Sequence, residues 1–91
     1  MHPFLKLEEG ETRLGRSNTM CRQPIIGNAA IGRFHAAIQN NGTACTVTDN
    51  HSLNKTYVNR EMLLPDQAHS LQNGDSIKLA NERFTYYEIQ V

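Results

Sequence analysis

The sequence is poor in several features that would mark particular protein classes. Its 91 residues contain no Trp and only two Cys, Cys21 and Cys45, which lack the spacing of metal ligands. A small secreted domain usually carries four or more cysteines, so we interpret both as reduced thiols of an intracellular protein. Residues 1–10 do not resemble a signal peptide. No apolar run approaches the roughly 20 residues that cross a bilayer, so a membrane partner is not expected.

The formal net charge is zero, from nine Lys and Arg against nine Asp and Glu. Binding to a nucleic-acid backbone needs an excess of cations, so this balance disfavours direct nucleic-acid binding. The charges are unevenly placed, however, because residues 13–60 hold six bases and one acid, a local charge of +5. Solvated loops alone can produce such an imbalance. The more specific interpretation is a local anion site on a neutral body.

Helix signals are nearly absent, because Gly, Asn or Pro interrupts every window with helical spacing of apolar residues. Nine Asn and six Gly separate short β-prone segments, and Asn40-Asn41-Gly42 is the strongest hairpin signal. This pattern predicts an all-β sandwich or barrel. The roughly ten predicted strands include ranges 4–7, 12–15, 24–26, 34–39, 43–48, 55–59, 61–64, 76–79 and 84–91.

Four sequence islands carry a family resemblance. Leu14-Gly15-Arg16 is followed by Ile-Gly-Arg-Phe-His-Ala-Ala-Ile at 31–38 and by Asp-Asn-His-Ser-Leu-Asn-Lys-Thr-Tyr-Val-Asn at 49–59. Leu-Gln-Asn-Gly-Asp-Ser-Ile-Lys-Leu follows at 71–79. In this order the islands resemble a forkhead-associated (FHA) domain, whose pattern reads Gly-Arg, Ser-Arg-x-His-Ala, Ser-x-Asn-Gly-Thr-x-Val-Asn and Leu-x-x-Gly-Asp-x-Ile. The resemblance covers nearly the whole chain.

The resemblance implies one domain over residues 1–91, an FHA-type β-sandwich of about 11 short strands with peptide-binding loops at one end. These loops would bind phosphothreonine peptides. Phosphothreonine carries about −1.5 to −2 charges and three acceptor oxygens, which the planar fork of arginine fits. Such a module needs no cofactor. It is not expected to be an enzyme, because no catalytic constellation or phosphate-binding P-loop stands out.

Ligand contacts are expected from two arginines and one loop. Arg16 would bind the phosphate directly, and Arg33 would reach the phosphate or an acidic peptide residue; the alternative for both is a solvated loop arginine. Asn54 would bridge a C=O and an N–H of the peptide main chain. An Asx turn that only shapes the loop is its alternative. Ser52 and Leu53 line the same loop, where the apolar Leu53 side chain cannot bond to phosphate.

Two positions depart from the family pattern. Gly32 stands where the family has Ser, so a hydroxyl that in the family donates to phosphate is missing. Only the backbone N–H of Gly32 is left as a donor for the phosphate. The lost bond could cost roughly 1.5–3 kcal/mol. Lys55 stands where the family has a turn Gly, and its added cation is a hypothetical compensation for the missing hydroxyl.

Other residues are expected to support the site rather than to touch the ligand. His35 would pin the loops by hydrogen bonds behind the site. The other supporting residues are expected to be Gly15, Asp49, Thr56 and Asn59. The remaining histidines show no metal spacing with Cys or acids, so no metal site is predicted.

Three functions follow as competing hypotheses. The first is a phosphothreonine adaptor, and Ser-Leu-Asn in the third island resembles N-terminal FHA modules of DNA-damage mediator proteins. That implies a nuclear role and a partner that is a phosphorylated protein or a second copy of the chain. The second is an FHA-fold dimerisation or scaffold module with weakened phosphate binding, because of Gly32. The third, a nucleic-acid-binding β-barrel, would need exposed aromatics among the cations, where only Phe34 and Tyr57 lie.

Overall fold

The computed structural model describes Leu5 and residues 7–88. Within these residues the chain forms eight β-strands and no α-helix, so no described helix is long enough to span a membrane. The strands are β1 (Gly10–Leu14), β2 (Ala36–Asn40), β3 (Cys45–Asp49), β4 (Thr56–Val58), β5 (Glu61–Met62), β6 (His69–Leu71), β7 (Ser76–Leu79) and β8 (Glu82–Thr85).

The strands form two four-stranded antiparallel sheets with the core between them. One sheet has the order β1-β2-β3-β6 and the other β5-β4-β7-β8. In β3, buried Cys45 and Val47 alternate with half-buried Thr46, because successive side chains of a strand point to opposite faces. β7 shows the same alternation. Both sheets contribute to one apolar cluster, which confirms the all-β sandwich.

The hairpin signal at residues 40–42 is confirmed. β2 and β3 pair from Asn40 opposite Cys45 to Ala36 opposite Asp49. Gly42 adopts a φ of 93°, which glycine takes without a Cβ clash. The Asn41 Oδ1 accepts the N–H groups of the two residues that lead into β3, so side-chain bonds close the loop.

Several strand predictions differ from the structure. Residues 24–26, all within the described part of the chain, form a loop; Ile25 is nevertheless fully buried and its N–H donates to the Gly15 carbonyl at 2.8 Å. Ile25 is therefore a core residue that lies in a loop, although the apolar pattern predicted a strand there. The short strand β6 was not predicted, because two of its three residues are polar and it pairs only at the edge of its sheet. Residues 4 and 6 of the predicted strand 4–7 and residues 89–91 of the predicted strand 84–91 lie outside the described residues, whereas the described residues 5, 7 and 86–88 form no strand.

Gly15 directly follows β1 and lies at a close approach between two segments. A Cβ built at Gly15 would lie 2.2 Å from the Arg33 carbonyl oxygen and 2.8 Å from that of Gly32. Both obstacles are backbone atoms, which cannot rotate away as a flexible side chain would. Residue 15 must lack a Cβ for these loops to pack as they do.

We expect Gly15→Ala to lower the free energy of unfolding by about 1–3 kcal/mol, because the new methyl group forces the loops apart. Urea denaturation followed by circular dichroism measures this change. Gly32→Ala is the matched control, since its Cβ would meet nothing closer than 3.5 Å and its φ is not positive. Equal losses from the two variants would contradict the close-approach argument.

Candidate functional site

Three loops meet at one end of the sandwich and bring the predicted ligand residues together. The Arg16 N–H donates to the Gly32 carbonyl at 3.0 Å, which joins the loop after β1 to the loop before β2. The Asn54 Nδ2 donates to the Ala30 carbonyl at 2.9 Å, which adds the loop between β3 and β4. Arg16, Arg33 and Asn54 therefore lie on segments bonded to one another.

The side chain of Arg16 is anchored by one hydrogen bond to the backbone. Its Nε donates to the Ile31 carbonyl at 2.8 Å, while the side chain stays largely exposed. This bond leaves the two terminal nitrogens of the guanidinium free to face an anion in a fixed fork. Arg33 is exposed on the neighbouring loop. Neither arginine has a carboxylate within salt-bridge distance among the described residues.

His35 is fully buried behind these loops and uses both ring nitrogens. Its Nδ1 lies 2.9 Å from the Gly32 backbone nitrogen, and its Nε2 lies 2.8 Å from the Lys55 carbonyl oxygen. Because a backbone N–H only donates and a carbonyl only accepts, the ring is neutral and carries its hydrogen on Nε2. The imidazole thus connects the loop before β2 to the loop before β4.

This bond changes the role expected of Gly32. Its N–H was considered a donor for phosphate, but it already donates to the His35 ring. Gly32 therefore brings neither a hydroxyl nor a free N–H to the site. Its φ lies outside the left-handed region, and a Cβ there has ordinary contacts of 3.5–3.7 Å.

A buried carboxylate organises the loop between β3 and β4. Asp49 is completely buried, and its Oδ1 accepts the hydroxyl groups of Ser52 at 2.5 Å and Thr56 at 2.6 Å. Its Oδ2 accepts the Ser52 N–H at 3.1 Å. Ser52 was expected to line the ligand site, but it is buried and its only hydroxyl hydrogen bonds to Asp49. Its place in the structure is that of a loop support.

Asn59 supports a different part of the fold from the one expected. Asn59 directly follows β4, whereas Lys55 directly precedes it, and the φ of Asn59 is 56°. Its side chain accepts the Ser76 N–H at 3.1 Å and donates to Asp75 at 3.2 Å. These bonds join the turn after β4 to the start of β7, so Asn59 does not directly support the ligand loops.

Sequence reasoning missed two contacts of the ligand loops. The His51 Nε2 lies 2.5 Å from Asp66 Oδ2, and both residues have positive φ, 52° and 65°. This clasp connects the loop after β3 to the loop after β5. The Cys21 thiol donates to the Arg33 carbonyl at 3.4 Å, and burial raises the pKa of this thiol. The sequence carries no strong signal for either contact, because the partners are far apart in the chain.

We expect Asp49→Asn to destabilise the domain by about 2–3 kcal/mol. The amide NH₂ of Asn would face a group that now donates a hydrogen bond to the Asp49 carboxylate, and two donors cannot pair with each other. Asp66→Asn is the control: its partner is exposed, and Asn tolerates left-handed backbone, so the loss should stay below about 1 kcal/mol. Chemical denaturation measures both. A similar loss in both variants would show that the buried network has no special weight.

Comparisons with known proteins agree with this architecture. The sequence model of the FHA domain matches residues 12–80. The chain is 33% identical over 96 residues to the E3 ubiquitin-protein ligase RNF8 of Rattus norvegicus, covering 97% of this chain and only 20% of that protein. The chain thus spans a small part of the length of this relative.

Two solved structures superpose closely. One, from a study of phosphothreonine-dependent FHA domain interactions, has a TM-score of 0.80 at 26% identity and covers 93% of this chain and 83% of its own. The other is EmbR of Mycobacterium tuberculosis in complex with a low-affinity phosphopeptide. It has a TM-score of 0.78 at 30% identity, over 89% of this chain and 20% of its own. With its sandwich, its loops and the sequence match over residues 12–80, the chain belongs to the forkhead-associated (FHA) domain family.

Proposed function

We propose that this chain is an adaptor module that binds phosphothreonine peptides. The observation that carries the proposal is the anchored guanidinium of Arg16, which is fixed through Nε on an exposed residue and has no carboxylate of the described residues within salt-bridge distance. A bidentate donor held in place before binding suits a dianionic phosphate. The likeness to FHA structures studied with phosphothreonine or phosphopeptide ligands supports the same ligand class.

The remaining loop residues fit a peptide that lies across the loop ends. Arg33 adds a second unpaired cation beside Arg16. Asn54 uses one amide hydrogen on Ala30, which orients the side chain and leaves its second hydrogen and its oxygen for a peptide main chain. Leu53, 88% exposed, offers apolar surface next to Asn54. Binding, rather than catalysis, is the function of this arrangement.

We further propose a nuclear role in DNA-damage signalling, with a phosphorylated protein or a second copy of the chain as partner. The support is Ser-Leu-Asn at residues 52–54, which resembles DNA-damage mediator modules, together with the likeness to a ubiquitin ligase. Imaging of the tagged full-length protein before and after irradiation tests the location. Light scattering with and without a phosphopeptide tests the dimer.

A second candidate function is a scaffold with weakened phosphate binding. The observation in its favour is Gly32, whose N–H is occupied by His35 and which has no hydroxyl. Titration of paired threonine and phosphothreonine peptide libraries separates the two functions. An adaptor binds the phosphorylated library selectively, whereas a scaffold binds neither library or both equally.

We expect Arg16→Ala to weaken phosphopeptide binding by more than tenfold, about 1.4 kcal/mol, because the fixed fork is lost. Isothermal titration calorimetry measures the affinity, and circular dichroism verifies that the variant is folded. Arg60→Ala removes the same charge from the exposed turn after β4 and should leave affinity unchanged. A loss below tenfold for Arg16→Ala would contradict the assignment.

We expect Asn54→Ala to weaken binding while the preference for phosphate persists. The variant loses contacts to the peptide main chain, whereas Arg16 and Arg33 still attract the phosphate charge. Parallel titrations with the phosphorylated and unphosphorylated forms of one peptide measure this preference. Equal affinity of the variant for both forms would show that Asn54 has a different role.

A further inference from the structure

Lys55 has an unusual backbone for its residue type. Its φ is 71°, in the left-handed region that glycine tolerates and that a side chain with a Cβ makes unfavourable. Lysine has no short polar side chain to compensate through a local hydrogen bond, as Asn or Asp can. Five described non-glycine residues have positive φ, and among them Lys55 alone is a lysine or arginine, which makes it a candidate for a functional role in its loop.

The main chain of Lys55 is fixed, whereas its side chain is free. Its carbonyl oxygen accepts two hydrogen bonds, from the His35 Nε2 at 2.8 Å and from the Ala80 N–H at 3.0 Å. The side chain is exposed, and no carboxylate of the described residues lies within salt-bridge distance of it. The position of the ammonium is therefore limited by the side chain's reach from a rigid attachment point, and its charge is available to a ligand.

One imidazole ring separates Lys55 from Gly32. The Nδ1 of His35 binds the Gly32 N–H, and its Nε2 binds the Lys55 carbonyl. Gly32 gives the site no donor, so a donor is missing on one side of the ring. The Lys55 backbone lies on the other side of the ring, and this residue carries an unpaired cation on a long, flexible stem.

We infer that Lys55 is a ligand of the phosphate group and supplies the donor that Gly32 lacks, at a cost in backbone strain. The inference rests on the proposed phosphothreonine function and specifies how the phosphate is held. An ammonium is a hydrated point charge rather than a directional hydroxyl, so attraction at this position depends on charge and is screened by salt.

The inference makes stability and affinity move in opposite directions in one variant. Lys55→Gly relieves the strain, so the melting temperature should stay the same or rise, while affinity for phosphothreonine peptides falls by about tenfold. A purely structural role predicts the reverse: unchanged affinity, or a loss that follows a loss of stability. Calorimetric titration and thermal melts on the same samples measure both quantities.

Further variants isolate the charge. Lys55→Asn tolerates the left-handed backbone without a cation and should bind as weakly as Lys55→Gly. Lys55→Arg keeps the cation and should retain most of the affinity. Lys78→Asn removes one charge from the strand β7, outside the ligand loops, and should leave binding unchanged. Affinity should also fall less steeply with added NaCl in Lys55→Gly than in the parent protein.

The probe is a degenerate phosphothreonine peptide library without Asp or Glu. Weaker binding of Lys55→Gly to this library supports a contact with the phosphate itself. Loss confined to a library that contains acidic residues would assign Lys55 to a peptide carboxylate and overturn the inference. If the parent protein binds neither library, the proposed function fails first; if it binds and Lys55→Gly binds equally, only the present inference fails.

A double-mutant cycle tests the link to Gly32. Gly32→Ser fits without strain, because its φ is not positive and the nearest atom to a Cβ is 3.5 Å away. Once this hydroxyl supplies a donor, Lys55→Gly should reduce affinity much less than in the parent protein. Equal losses in both backgrounds would overturn the replacement of one donor by the other.

Discussion

The ligand loops depend on one buried imidazole. His35 joins the segment before β2 of one sheet to the segment before β4 of the other, and it does so through backbone groups alone. Because His35 bonds to a main-chain N–H and a main-chain carbonyl, this connection does not depend on the side chains at positions 32 and 55. Both departures from the family pattern occur at these two positions, where the side chain can change and the connection between the sheets survives.

The fold and the outline of the site were predictable from sequence because they depend on local chemistry. The alternation in β3, the hairpin after β2 and the glycine before Arg16 each require particular residue types at fixed spacing. FHA membership followed from four such islands together.

The individual role of a polar residue was much harder to predict, because it depends on which partner comes close in space. Ser52 looks like a ligand residue from its position, yet it bonds to a carboxylate three residues earlier. The Gly32 N–H looks available until the His35 ring is placed beside it. The His51–Asp66 contact joins loops that are separated by two strands, and no local sequence pattern predicts it.

Basic residues are concentrated between positions 13 and 60 of the sequence, and the fold leaves some of them unpaired on neighbouring loops. Among the described residues, the acid–base contacts pair Arg13 with Glu11, His51 with Asp66 and His69 with Glu61. Arg16, Arg33 and Lys55 have no such partners. Exposed like charges cost little stability in water, so these side chains can remain unpaired in the folded domain without a bound anion.

The clasp between His51 and Asp66 has a consequence for binding kinetics. It holds the start of the loop between β3 and β4, and the His35 bond to the Lys55 carbonyl holds its end, so both flanks of the loop are held without a peptide. For the peptide that we propose as ligand, a loop held in this way needs little rearrangement, and the association rate is then set by diffusion and electrostatic steering. If the chain binds phosphothreonine peptides as proposed, peptides of different sequence should associate at similar rates and differ mainly in their dissociation rates.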